Sequence, residues 1–70
     1  MENEKLIKSW IDVTFGMKGY FAVLRGEFQT EDGKTYADNI SSGSACKDHA
    51  SAVIDAKIWA EVEGIPCHAG

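Results

Sequence analysis

One segment constrains this chain more than any other. Residues 45–63 are the only stretch with helical periodicity long enough to cover a sheet, and they are bounded by helix signals. Ser44 is placed as an N-cap, Asp48 falls in the first turns where a carboxylate suits the helix dipole, and Gly64 with Pro66 ends the run. On a wheel of 100° per residue this helix carries two apolar faces. Ala45, Ala52, Val53, Ala56 and Ala60 cluster on one side, with His49 among them and Trp59 at the edge. Ile54, Ile58, Val62 and Ile65 form a second stripe, nearly opposite. Lys47, Ser51, Asp55, Lys57 and Glu61 lie around that second stripe.

The rest of the chain reads as strands. Turn residues at 16–19, 31–33, 41–44 and 64–66 divide it into four segments. In the first, Ile7, Ile11, Val13 and Phe15 alternate with Lys8, Asp12 and Thr14, which predicts a strand from about Trp10. Leu6, Ile7, Trp10 and Ile11 also fit helical spacing, so a short N-terminal helical turn stays open for the first nine residues. The apolar run Tyr20-Phe21-Ala22-Val23-Leu24 predicts a central strand buried on both faces, with Gly26 as a bulge or a point of close approach. Asp32-Gly33 predicts a two-residue type I′ turn into a third strand, where Tyr36, Asp38 and Ile40 share a face.

The expected fold is therefore α+β, a three-stranded antiparallel sheet packed against one long C-terminal helix, in the order βββα. With 70 residues the chain has material for one core, so residues 1–70 are expected to form a single domain. A 44% hydrophobic content excludes the strongly disordered classes. No apolar run approaches the ~20 residues of a membrane span, and the Met-Glu-Asn-Glu-Lys start lacks the basic opening of a signal peptide. A complete, soluble, cytoplasmic protein is expected, in the bacterial host cytoplasm if phage-encoded.

One small sheet cannot cover both helix stripes. Alanine permits close packing on strands, which leaves Ile54, Ile58 and Val62 outward; the reverse assignment buries more area at roughly 25 cal/mol per Å². An uncovered aliphatic stripe on a small protein marks an interface, so a protein partner or a homodimer is expected, with the N-terminal segment folding over the stripe as the other reading.

Chemistry is sparse in this sequence. Cys46, His49, Cys67 and His68 have the residue types of zinc ligands, but no standard spacing. With Cys46 on the helix, about 18 residues or roughly 27 Å separate it from Glu63. Four further residues return at most about 14 Å, so neither a metal site nor a disulfide is expected, and Cys67 and His68 read as a frayed tail. Cys46 near a helix N-terminus would have raised thiolate character. Cys46 and His49 would be helical neighbours, yet no third group completes a catalytic set, and no glycine-rich loop leads into a helix to cradle phosphate. No enzymatic activity, cofactor or metal is expected.

Charge supplies the remaining signal. Lys and Arg total 7 against 11 for Asp and Glu, a net −4, which argues against direct nucleic-acid binding. Glu27, Glu31, Asp32 and Asp38 surround the second hairpin, and a negative face there would compete with nucleic acid for a basic groove on another protein.

Two resemblances follow. The order of three strands and a helix, with Asp32-Gly33-Lys34-Thr35-Tyr36 and the Ala52, Ala56, Trp59, Ala60 pattern, resembles the AP2-type DNA-binding module of plant regulators and phage integrases. That resemblance implies a DNA-binding accessory module reading the groove through Trp10, Arg25 and Lys34, and the DNA-binding alternative adds Lys18. The run 19–24 and the helix end 56–66 are similar to very short acidic phage proteins, including the anti-CRISPR group. This second resemblance implies a non-enzymatic inhibitor or modulator that blocks a host nucleic-acid-handling complex. We expect the second function, with Glu27, Glu31, Asp32, Asp38, Ile54, Ile58 and Val62 as the partner-binding residues. The DNA-binding module and a homo-oligomeric structural protein are the alternatives.

Overall fold

The computed structural model describes residues 4–69. Three antiparallel strands, β1 (Lys5–Gly16), β2 (Gly19–Gln29) and β3 (Thr35–Ser42), are followed by one helix, α1 (His49–Glu63). Strand order is β1-β2-β3, so β2 is central. The expected α+β arrangement is present. Its first strand is longer than expected, because β1 starts at Lys5 and leaves no N-terminal helical turn in the described residues. Backbone pairing with β2 extends as far as Lys5↔Gln29, and β-ladder bonds outcompete a short helical start that has no long-range partner.

Two irregularities set which side chains share a face. The β1–β2 register shifts between Leu6 and Lys8, and the β2–β3 register shifts between Leu24 and Arg25. Ile7 and Ile40 are the extra residues. A bulge reverses the alternation beyond it, so Leu6 joins the face of Ile11 and Phe28 instead of the opposite one. Gly26 is a point of close approach, not a bulge. A Cβ there would lie 2.8 Å from the Cδ1 atoms of both Leu6 and Ile40.

Both hairpin turns depend on glycine. The second turn departs from the expected two-residue type I′ form. Gly33 N–H donates to the Thr30 carbonyl (3.0 Å) and Thr30 N–H donates to the Lys34 carbonyl (2.8 Å). Only Gly33 has positive φ (+88°), so Glu31, Asp32 and Gly33 form a three-residue loop with Gly33 at the left-handed position. Asp32 favours its ordinary right-handed conformation, with its carboxylate accepting from the Thr30 hydroxyl. At the first turn, Gly19 has φ +125°, and a Cβ there would meet the Cys46 carbonyl oxygen at 2.4 Å.

The helix begins later than the sequence suggests. Its N-cap is Asp48, not Ser44, and the Asp48 carboxylate accepts from Ser51 N–H at 2.8 Å. Hydrogen bonding from the Ser51 side chain, and then from its backbone N–H, holds the Asp48 carboxyl below its ordinary pKa. Residues 45–47 are instead held by the sheet. Tyr20 N–H donates to the Cys46 carbonyl (3.0 Å), and Cys46 N–H donates to the Tyr20 carbonyl (2.6 Å). A left-handed Gly64 (φ 70°) ends the helix as expected.

Packing resolves the two-faced helix. Ala52, Ala56 and Ala60 are buried, and Ala56 and Ala60 pack with Ile11 and Ala22. The helix contacts β1 and β2 but not β3. Val13, Leu24, Trp59, Ile65, Cys67 and Ala69 close around this core. Ile65 thus belongs to the core and not to the outer stripe. The C-terminal residues are not frayed. Ile11 N–H donates to the Pro66 carbonyl (2.9 Å) and His68 N–H donates to the Ile11 carbonyl (2.8 Å), a short parallel bridge along the free edge of β1. His68 stacks on Trp10, with ring centroids 5.4 Å apart, on the sheet face away from the helix.

These contacts generate two stability predictions. Gly19→Ala combines strained φ with a backbone clash and should cost about 3 kcal/mol, whereas Gly33→Ala, whose Cβ meets nothing, should cost about 1 kcal/mol. Ala56→Leu overfills the helix–sheet contact and should cost about 1–3 kcal/mol, while Glu63→Leu on the exposed last turn should stay within about 0.5 kcal/mol. Urea unfolding followed by circular dichroism measures both pairs.

Candidate docking surfaces

The outer face of α1 presents three aliphatic residues to solvent. Ile54 and Ile58 are each 58% exposed, and Val62 is 77% exposed. They recur at i, i+4 and i+8, so they form one continuous ridge along the helix. The helix can leave this ridge outward because alanine, not isoleucine, suits the short distance between α1 and the strands. No segment within residues 4–69 folds over the ridge; the N-terminal part of the chain is committed to β1.

A second apolar surface, absent from the sequence reading, lies on the same side of the sheet. Gly26 and its partner Asp38 face that side, as do Phe28 and its partner Tyr36. Leu6 and Ile40 close over Gly26, and Phe28 and Tyr36 stack with centroids 5.5 Å apart. Leu6, Tyr36 and Ile40 remain 49%, 38% and 47% exposed. Every residue of β3 is exposed, because α1 does not reach that strand. The Tyr36 hydroxyl donates to Glu4 Oε1 at 2.5 Å, which orients the ring flat over this half of the sheet.

The acidic residues are dispersed. Glu27 projects from the opposite face and pairs with Lys8 at 3.3 Å. Asp38 sits on the helix side, and its carboxylate accepts from Asn39 N–H. Glu31 and Asp32 occupy the β2–β3 turn, where Asp32 lies 4.0 Å from Lys34. Thr30, by donating to the Asp32 carboxylate, is the main cause of that group's lowered pKa. No single face gathers all four.

The residues implied for groove reading are equally scattered. Trp10 and Arg25 are cross-strand partners on the face away from the helix, with Lys8 Nζ 5.9 Å from the Trp10 ring centroid. Asp12 and Glu27 flank them on that face, cancelling their charge. Lys18 and Lys34 lie in turns at opposite ends of the hairpins.

Cys46 is not the activated thiol expected from a helix N-terminus, because it lies outside the helix. Its Sγ donates to Asp55 Oδ2 at 3.3 Å. That hydrogen bond, reinforced by desolvation and by the charges of Asp55 and Asp48, raises its pKa above the ordinary thiol value. His49 lies on the alanine side of α1 at its first turn, where it is exposed and sets its ring edge-on to Tyr20, with centroids 5.5 Å apart. The two cysteines are separated not by the length of the helix but by the strands that hold them, Cys46 beside Tyr20 and Cys67 beside Ile11. Among the described residues no group of His, Cys, Asp and Glu is arranged to hold a metal ion, and no helix is long and apolar enough to cross a membrane.

Comparisons with protein-family models, curated proteins and solved structures found no match.

The thiol environment is directly measurable. In a Cys67→Ser background, iodoacetamide should alkylate Cys46 more slowly than a free cysteine peptide at pH 8. Asp55→Asn should accelerate the reaction by lowering the thiol pKa. An unchanged rate in Asp55→Asn would remove the carboxylate as the cause.

Proposed function

We propose that this chain is a non-enzymatic protein-binding module that docks through the outer ridge of α1 and acts as an inhibitor or modulator of what it binds. The observation that supports this reading is the exposed Ile54–Ile58–Val62 ridge. Three large aliphatic side chains in one row lose contact with water only when another surface covers them, and contiguous apolar patches of this kind mark interaction sites. A rigid helix also presents them with little further ordering cost. The charged residues that flank the ridge, Asp55, Lys57 and Glu61, form the polar rim expected around such a contact.

A photo-crosslinking amino acid at position 58 tests this in cells of the source organism. Protein adducts are expected from position 58 and not from position 27 on the far sheet face. Absence of any protein adduct at position 58 would overturn the reading. Where adducts form, Ile54→Asp in the same chain should reduce them about tenfold or more, because a carboxylate is costly to bury in an apolar contact.

A further inference from the structure

Resting on the protein-docking reading, we propose that the occupant of the α1 ridge is the bare half-sheet of a second copy of this chain. The two copies form a two-fold dimer in which each helix is clasped between its own sheet and its partner's.

The first argument is one of length. Strand β1 has 12 residues and β2 has 11, which at about 3.3 Å per residue is roughly 36–40 Å of sheet. Helix α1 has 15 residues and spans only about 22 Å. It covers the half of the sheet carrying Ile11, Val13, Ala22 and Leu24, and leaves the half carrying Leu6, Gly26, Phe28, Tyr36 and Ile40 open. The uncovered length, roughly 14–18 Å, takes most of a second helix of equal length.

The second argument is where the exposed apolar groups fall. The large exposed hydrophobic residues are Leu6, Ile7, Phe15, Met17, Tyr36, Ile40, Ile54, Ile58 and Val62. Six of these nine lie on the two surfaces in question, three on the half-sheet and three on the ridge. Both surfaces are on the helix side of the sheet. Each protomer is therefore a step, high where α1 sits and low where the sheet is bare. Two such steps, turned about a two-fold axis, fit face to face. The contact is isologous and closes on itself, so it yields a dimer and not a fibre.

The third argument is shape. The radius of gyration is 13.3 Å, against about 11 Å for a compact chain of this length. The accessible surface is 4933 Å², against about 4,300 Å² for a monomeric protein of this mass. The excess is what an unpaired protomer would show.

Charge agrees with the arrangement. Lys57 flanks the ridge and makes no ion pair among the described residues. Asp38 sits in the bare half-sheet, next to Ile40 and opposite Gly26. In such a dimer the facing surfaces carry opposite charges, Lys57 beside the ridge and Asp38 in the half-sheet that receives it.

Sedimentation velocity on three forms tests the proposal. The wild type should sediment at twice the 7.6 kDa chain mass. Ile58→Asp damages only the ridge, and Ile40→Asp damages only the half-sheet; each should weaken dimerisation about tenfold or more. If circular dichroism shows Ile40→Asp unfolded, Asp38→Lys replaces it. A monomeric wild type at the highest soluble concentration overturns the proposal, as does a variant that stays fully dimeric. A position-58 adduct to a different protein, with a monomeric wild type, would overturn the second copy while leaving the docking reading intact.

Discussion

The contact between the alanine face of α1 and the β1–β2 pair is what the rest of the structure depends on. Ala56 and Ala60 pack directly with Ile11 and Ala22, and Ala52 is equally buried. Small alanine side chains on the helix meet larger ones on the sheet, Ile11, Val13 and Leu24, beside Ala22. The same choice of residues limits the area buried. Among the described residues only Ile11 and Val23 are large and fully buried, and Val23 alternates to the face away from the helix. A core this small needs closure at its edges, and the chain supplies it. The Cys46 bridge to Tyr20 fixes the entry to α1, while the Pro66–His68 segment returns to bond with Ile11 after its exit. Both ends of the helix are thus tied to strands that the helix itself covers.

Docking by alanine has a consequence for the opposite side of the helix. Ile54, Ile58 and Val62, left outward, take no part in holding helix and sheet together. The uncovered half of the sheet has the same character. Its Leu6, Ile40, Phe28 and Tyr36 side chains pack with one another around Gly26 without a covering layer. Ridge and half-sheet are two sides of one incomplete layer arrangement. Helices and sheets are stable only when each apolar face finds a counterpart.

Much of this was legible in the sequence, and the misses have local physical reasons. The strands, the order βββα and the separation of the Ala and Ile stripes followed from periodicity, because residues such as Ala52, Ala56 and Ala60 repeat at helical spacing. The start of α1 did not. Ser44 and Asp48 are both good caps, and the choice between them was made by the long-range Cys46–Tyr20 bridge, which no local pattern encodes. The turn at Asp32-Gly33 was located correctly but assigned the wrong geometry, since Thr30 offered hydrogen bonds that favour a three-residue loop. The C-terminal segment looked unattached because the pairing of Cys67 with Ile11 spans most of the chain. Of the docking surfaces, the ridge was visible on a helical wheel. The half-sheet was not, because the bulge at Ile7 brings Leu6 onto the face of Phe28, Tyr36 and Ile40 against simple alternation. The acidic residues were adjacent in sequence yet diverge in space, since Glu27 and Asp38 come from opposite sides of the same pleat.

Methyl NOEs on the isolated protein examine the orientation of α1 most directly. The methyl groups of Ala56 and Ala60 should show strong cross-peaks to Ile11 and Ala22, and Ile54 and Ile58 should show none to those residues within one chain. Strong intrachain cross-peaks from Ile58 to Ile11 or Ala22 would mean that the helix is turned by half a revolution. The aliphatic ridge would then be core, and the basis for docking through it would be gone.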